Sequence, residues 1–192
     1  MSQFLDIQVP DAVVSRAQAG DAAAHRELYG LLGAPVYTLL RRLVVSPAVA
    51  EDLLHDVFVE LLRGVHHYRA EGSFAGWVRS IVVSKALMHL RSPWHRRLLP
   101  GVSDQLPALI DEGGRALEWQ RDLECALNAL PPLARSVVWL HDVEGYTHAE
   151  IARLFNRSVS FSKSQLARAH EQLRDLLEPQ SGALPCMPVS RT

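Results

Sequence analysis

The chain is 192 residues long, a length that suits two compact units of roughly a hundred residues or fewer rather than one large domain. Hydrophobic residues make up 48% and charged residues 21%, with only 11 Gly and 11 Pro, which excludes a wholly disordered or low-complexity chain. Lys plus Arg number 20 against 21 Asp plus Glu, a formal charge of −1, and this excludes a protein that holds nucleic acid by net charge alone.

Along the chain, apolar residues recur at helical spacing and no sustained stretch alternates as a half-buried strand would. An all-α fold is therefore predicted. A first helix is expected over residues 13–32, interrupted near Gly20 and Asp21, and a second over 35–45 after the Gly33-Ala34-Pro35 break. Ser46-Pro47 reads as a cap and first turn that open a third helix through Arg63. Gly64 and the polar residues 66–72 form a loop, Ser73 caps a fourth helix, and Ser92-Pro93 ends it after Arg91. These helices make a first small domain over residues 10–92.

Residues 93–114 are punctuated by Pro93, Pro100, Gly101, Pro107, Gly113 and Gly114 without an apolar stripe, and read as a flexible linker. Helical period resumes over 115–130, breaks at Pro131-Pro132, continues to Val143 and stops at Glu144-Gly145. Two further helices are predicted over 147–155 and 160–177, so the second domain spans 115–178. The remaining residues 179–192, with Pro185 and Pro188, read as a disordered tail.

Three constellations carry chemistry. In the last two helices, Thr147 and Glu150 form a capping box, Ile151, Ala152 and Phe155 give the short helix one buried face, and Asn156 suits a left-handed turn that Val159 can plug. Leu166, Ala169, Leu173 and Leu177 then share one face of the following helix, while Ser160, Lys163, Ser164 and Arg168 share the other. This is a helix-turn-helix with a polar, basic face of major-groove size, and Arg157 lies in its turn where phosphate contact is easy. An ordinary helical hairpin with a solvated face would have the same pattern.

In the third predicted helix Leu53, Leu54, Val57, Phe58, Leu61 and Leu62 form a buried stripe and leave Asp52, His55, Asp56 and Glu60 as an exposed acidic ridge that suits a basic protein partner. In the fourth, Phe74, Trp77, Ile81, Leu87 and Leu90 are mostly core by spacing, with a contact role for Trp77 as the lesser alternative. Its remaining face carries Ser80, Ser84, Lys85, Met88 and Arg91, groups able to touch phosphate or an unstacked base.

Other chemistries are poorly supported. Cys125 and Cys186 are far apart with no CxxC pair, which argues against a disulfide framework or thiolate zinc site and fits a reducing cytosol. Histidines other than the adjacent His66-His67 lie on different predicted elements without ligand spacing, so no metal and no cofactor is expected. There is no Gly-rich phosphate loop and no nucleophile elbow, so the chain reads as a non-enzyme with no catalytic residues. Arg41 and Arg42 break the longest apolar run, and the start MSQFLDIQVPD does not place a basic region before an apolar one. Neither membrane insertion nor export is expected.

In their order and spacing, AEDLLHDVF, then FAGWVRSI followed by HLR, then LNALPPLARSVVWLHDVEGYTHAEIARLF followed by KSQLARAHEQLRDLL, resemble the bacterial sigma factors of the extracytoplasmic-function (ECF) group, the two-domain promoter-recognition subunits of RNA polymerase. The resemblance covers most of the chain apart from the extreme N-terminus and the tail. It implies that the ridge of Asp52, His55, Asp56 and Glu60 grips the clamp of core polymerase. It also implies that Ser80, Ser84, Lys85, Met88 and Arg91 recognise and open the promoter −10 element. The helix-turn-helix would read the −35 element through Arg157, Ser160, Phe161, Lys163, Ser164, Gln165 and Arg168. An anti-sigma protein is the partner that commonly restrains this family, and the bacterial cytoplasm is the compartment it implies. The chain departs from the family pattern at Ser84 and Met88, where Asn and Asp are usual, and at Gln165, where Arg is usual. The first two bear on promoter opening, and the last on base preference, since Gln bonds adenine bidentately where Arg prefers guanine. The rival reading is a sigma-like mimic that binds polymerase or an anti-sigma protein without opening promoters; a free-standing helix-turn-helix repressor leaves the acidic ridge unexplained.

Overall fold

A computed structural model describes residue 4 and residues 7–44, 46–92 and 114–178, and every regular element among them is helical. The N-terminal unit contains α1 (Asp11–Gln18), α2 (Ala22–Leu43), α3 (Pro47–Gly64) and α4 (Phe74–Arg91). Each start after the first is set by a side-chain cap: Asp21 accepts from the Ala23 amide at 2.8 Å, Ser46 from that of Val49 and Ser73 from that of Gly76 at 3.0 Å. Leu28, Leu32, Leu40, Val57, Leu61, Val78, Val82 and Leu87 are all fully buried between these helices.

The expected break at Gly33-Ala34-Pro35 does not occur, and α2 runs through it. Leu28, Leu32, Val36, Leu39 and Leu40 form one continuous buried stripe across Pro35. Burying such side chains is worth about 1.5–3 kcal/mol each, which outweighs the about 3 kcal/mol that an interior proline costs a helix. The other predicted interruption is real: α1 ends before Gly20, whose φ of +84° puts it in the left-handed region. The unit thus keeps four helices, partitioned differently from the prediction. Helix α3 also overruns its expected end, continuing through Gly64 into a 3₁₀ turn, Val65–His67.

The C-terminal unit is α5 (Gly114–Ala129), α6 (Pro132–Val138) extended by a π-helical turn (Trp139–Val143), α7 (His148–Phe155) and α8 (Val159–Leu177). The capping box of Thr147 and Glu150 is formed, and Asn156 at φ 52° makes the left-handed turn. Val159, expected to plug that turn, is instead 43% exposed, because Ser158 caps α8 and places Val159 in its first, outward-facing turn. Residues 93–113 of the predicted linker and the predicted tail 179–192 lie outside the described residues; Gly114 opens α5.

The two units, read from sequence as small domains joined by a flexible linker, pack against each other. The carbonyl of Leu43, at the end of α2, accepts from Arg135 Nη2 and Ser136 Oγ of α6, both at 3.4 Å. Arg42 of α2 pairs with Glu124 of α5 at 3.0 Å, and Arg79 of α4 with Glu144 at 3.5 Å.

Candidate nucleic-acid interface

Helix α8 is held against the rest of its unit by Leu166, Ala169 and Leu173, all buried. The opposite side carries Ser160, Lys163 and Arg168 in the open, with Arg157 exposed just before the helix. The Arg157 guanidinium lies over the Phe161 ring, 5.8 Å from its centre, and Phe161 in turn leans on Phe155. Phe161 is therefore half-buried, more a prop for the turn than a free contact group. Ser164 and Gln165 are also half-buried, and the Ser164 hydroxyl donates to the Phe161 carbonyl at 3.0 Å. The open basic face is narrower than spacing predicts: Arg157, Ser160, Lys163 and Arg168, with Gln165 at its edge.

Beneath this face lies a polar cluster the sequence did not reveal. His170 of α8 and His141 of the π turn both hydrogen-bond Asp142, at 2.6 and 2.8 Å, and His141 stacks on His148, ring centres 4.5 Å apart. His148 Nδ1 in turn lies 3.0 Å from the hydroxyl of Ser162, a fully buried serine of α8. Burial would raise the Asp142 carboxyl, yet the hydrogen bonds from the two histidines hold it below its ordinary value. His148 is held below the ordinary histidine value by lost hydration first and by His141 and Lys163 next, with Asp142 opposing. Three histidines that sit on separate predicted elements thus meet in space, although among the described residues no group of three or more His, Cys, Asp or Glu is placed to hold a metal ion.

On α4, Ser80, Ser84, Met88 and Arg91 are exposed and line one side of the helix, Met88 at 57%. Lys85 is half-buried and reaches across to Glu60 of α3 at 3.1 Å. Glu60 belongs to the predicted acidic ridge, so the ridge and the α4 face, read as separate surfaces, meet at this ion pair. The rest of the ridge stands as expected: Asp52, His55 and Asp56 are exposed, and the His55 ring bonds back to the Glu51 carbonyl at 3.0 Å.

A recess of about 490 Å³ at the N-terminus of α4 also escaped the sequence reading. Tyr68, Arg69, Glu71, Ser73 and Trp77 line it. The loop around it is drawn tight by the Tyr68 hydroxyl, which donates to the Gly72 carbonyl at 2.6 Å, and by left-handed backbone at Ala70 (φ 57°) and Gly72 (φ 116°). Tyr68, Phe74 and Trp77 form one aromatic cluster with ring centres 5.1–5.4 Å apart. Trp77, read as more a core residue than a contact residue, is half-buried and shows a face to the recess. Gly64 makes room for it, since a Cβ there would come within 3.1 Å of the indole. The available signal was an aromatic and an arginine flanking a glycine-bearing loop directly before α4.

Comparison with known proteins bears on all of these surfaces together. Residues 28–96 match the family model Sigma-70 region 2 and residues 120–173 match Sigma-70, region 4. The chain is 33% identical over 151 residues, 76% of its length, to the ECF RNA polymerase sigma factor SigE of Mycolicibacterium smegmatis, of whose length it spans 58%. It is 30% identical over 165 residues to the RNA polymerase sigma factor CarQ of Myxococcus xanthus, covering 85% of this chain and 95% of CarQ. Among solved structures, RpoE from Bartonella quintana, in complex with the anti-sigma factor NepR, shares the fold at a TM-score of 0.57 and 19% identity, over 80% of this chain and 96% of that one. CnrH, in complex with the cytosolic domain of CnrY, does so at 0.52 and 20%, over 88% and 97%. Region 2 falls on the α2–α4 body with its ridge and recess, region 4 falls on the helix-turn-helix, and this chain belongs to the ECF sigma factors of RNA polymerase.

Proposed function

We propose that the chain is a non-catalytic transcription initiation factor of the bacterial cytoplasm that binds core RNA polymerase and directs it to promoters. The observation that carries this is the joint presence, in one chain of near-zero net charge, of an exposed acidic ridge on α3 and two separate DNA-suited faces on α4 and α8. Neither face is basic enough to hold DNA alone at cellular salt. Tethering both to a larger machine raises their effective concentration, so that modest contacts sum to tight promoter binding. In this reading Asp52, His55 and Asp56 meet the polymerase clamp, with Glu60 joining when Lys85 releases it.

Arg157, Ser160, Lys163 and Arg168 meet the −35 element, with Gln165 at the edge of the base-reading face and Phe161 and Ser164 shaping it. Ser80, Ser84, Lys85, Met88 and Arg91 meet the −10 element. The recess beside Tyr68 and Trp77 has the aromatic walls on which an unstacked base of the opened strand can rest. An anti-sigma protein is a further expected partner. Among the described residues no helix is long and apolar enough to cross a membrane.

Run-off transcription with purified core polymerase tests the reading: a discrete start site that depends on this chain is expected, and its absence favours the mimic. Asp52→Arg together with Asp56→Arg should lower affinity for core by roughly a hundredfold, since reversing charges at a desolvated pair costs about 2–5 kcal/mol. Undiminished co-purification with core would remove the ridge from the interface.

A further inference from the structure

We propose that Gln18 of α1 is a positioning residue for the recess beside α4: its side-chain amide holds the chain at Val65 and Tyr68, and through them the aromatic wall offered to an unstacked −10 base; this rests on the promoter-directing function above. Gln18 lies ahead of residues 28–96, the stretch that matches region 2. Its Nε2 donates to the Tyr68 carbonyl at 2.9 Å and to the Val65 carbonyl at 3.2 Å, across 50 and 47 residues of sequence. Both partners are acceptors, so the group between them must supply a donor to each. In return His66 Nδ1 donates to the main-chain carbonyl of Gln18 at 2.6 Å. That carbonyl stands in the last turn of α1, where helical partners run out. The two segments thus bind each other in both directions.

Helix α1 presents this amide from a fixed base. Val13, Val14 and Ala17 are buried, and Asp11, Val14 and Gln18 recur at the i, i+3 and i+7 spacing that places them on one face. The field of Asp11 reaches the same loop. Burial first, and the Asp11 carboxylate next, push the Tyr68 hydroxyl above its ordinary value of 10.0. The hydroxyl therefore stays protonated and keeps donating to the Gly72 carbonyl at 2.6 Å.

The wall of the recess begins at the carbonyls that Gln18 holds. Val65–His67 is the 3₁₀ turn that prolongs α3, and Tyr68 leaves it in extended backbone, so its carbonyl has no place in the helical ladder. From that point the Tyr68 ring packs on Phe74 and Trp77, with centres 5.1 and 5.3 Å away. Ala70, a non-glycine residue at φ 57°, persists in the left-handed region only where its surroundings over-determine it. The bonds at Tyr68 and at Gly72 bracket it. A base resting on the rings is read by polar groups at its edge, and Arg69 and Glu71 of this loop line the recess. Such groups discriminate only while their support is held to a fraction of an ångström. Without the Gln18 amide one bracket opens, and the wall and its polar rim lose their common register.

Gln18→Met keeps the length of the side chain and removes both donors. Gln18→Lys keeps donors, and an ammonium suits carbonyls at the C-terminal end of a helix. Holoenzyme assembled from core polymerase and the full chain, wild type or variant, is assayed by run-off transcription across a library of −10 sequences, beside circular dichroism of the chain and its affinity for core. Gln18→Met should leave the chain folded and core affinity unchanged, while lowering the preference for the best −10 sequences roughly fivefold, the scale of one or two neutral hydrogen bonds. Gln18→Lys should restore that preference. In a Trp77→Leu background Gln18→Met should change it no further, because the two residues act through one wall. Unchanged preference in Gln18→Met, failure of Gln18→Lys to restore it, or an undiminished effect beside Trp77→Leu would each overturn the proposal. So would a loss of folding or of core affinity in step with the loss of preference, which would leave Gln18 a stability residue only. A wild type without a discrete start site would overturn the promoter-directing function and this proposal with it, whereas a wild type with one beside variants that match it overturns the proposal alone.

Discussion

Helices α4 and α8 are nearly equal in length, each capped by a serine and each presenting a polar face, but they are engaged very differently. On α4 the cations are already in use: Arg79 holds Glu144, Lys85 holds Glu60, and Arg91 Nε bonds the Leu87 carbonyl at 3.3 Å. On α8, Lys163 and Arg168 make no ion pair among the described residues and face solvent. The cations of the α8 face stand open, whereas those of the α4 face become available only by exchanging partners. Under the proposed function, the same residue types in the same kind of helix would make a preformed reader at −35 and a conditional one at −10.

The sharpest way to break this contrast is to remove the conditional cations. Lys85→Ala with Arg91→Ala should reduce open-complex formation on linear duplex roughly tenfold or more, since two charge-assisted bonds to DNA are removed at about 1 kcal/mol or more each. The reduction should be much smaller on a template premelted over −10, where opening is already done. Permanganate footprinting on both templates makes the comparison, and equal reductions would show that these residues act before opening.

The preformed reader should separate base contacts from phosphate contacts. Gln165→Arg is expected to change the preferred −35 sequence, by about 1–3 kcal/mol if the base is contacted bidentately. Arg157→Ala and Arg168→Ala should weaken all sequences alike and flatten the salt dependence by about 0.9 for each phosphate that is no longer neutralised. Holoenzyme binding across a −35 library at several salt concentrations distinguishes the two behaviours. If Gln165→Arg behaves like the arginine variants, the half-buried edge of α8 does not read bases.

The smallest expected effect lies under α8. The pKa of folded His148 is below the ordinary histidine value of 6.5, so its contribution to stability is complete above that value and is lost as pH falls beneath it. Asp142 and Glu150, lowered from ordinary values of 3.8 and 4.5, add a loss only at more acid pH. Thermal melting of the C-terminal helices should therefore soften slightly below about pH 6.5, and His148→Asn should remove that first decline while leaving the acid one. A decline unchanged in the variant would assign it to other groups.

What the sequence made legible was local. Ser46, Ser73, the Thr147-Glu150 box and Asn156 announce helix ends by hydrogen bonds made within a few residues, and these appear where spacing puts them. What it hid was settled at long range. Pro35 signals a break, but the stripe on either side is buried by other helices, and that burial prevails. Lys85 and Glu60 are 25 residues apart, Arg79 and Glu144 are 65, and no periodicity reports such pairings. The recess beside Trp77 depends on two left-handed residues and a hydroxyl bond across the loop, which composition does not specify. The half-burial of Ser164 and Gln165 escaped for a related reason: a helical wheel ranks faces by angle, whereas the true edge of α8 depends on what packs beside it.

The π turn at Trp139–Val143 closes with the Glu144 amide bonded to the Trp139 carbonyl at 3.0 Å, one residue wider than an α-helical turn. Such a turn is what an insertion of one residue into a regular helix leaves behind. It lets neighbouring residues face opposite ways, Asp142 toward His170 within its own domain and Glu144 toward Arg79 of the other. Deleting one residue here would let the segment wind as ordinary α-helix and swing everything after it by about 100° relative to α6. The helix would survive such an event and the grip on Arg79 would not, so the association of the two domains could be gained or lost in evolution through a single codon, without rebuilding either fold.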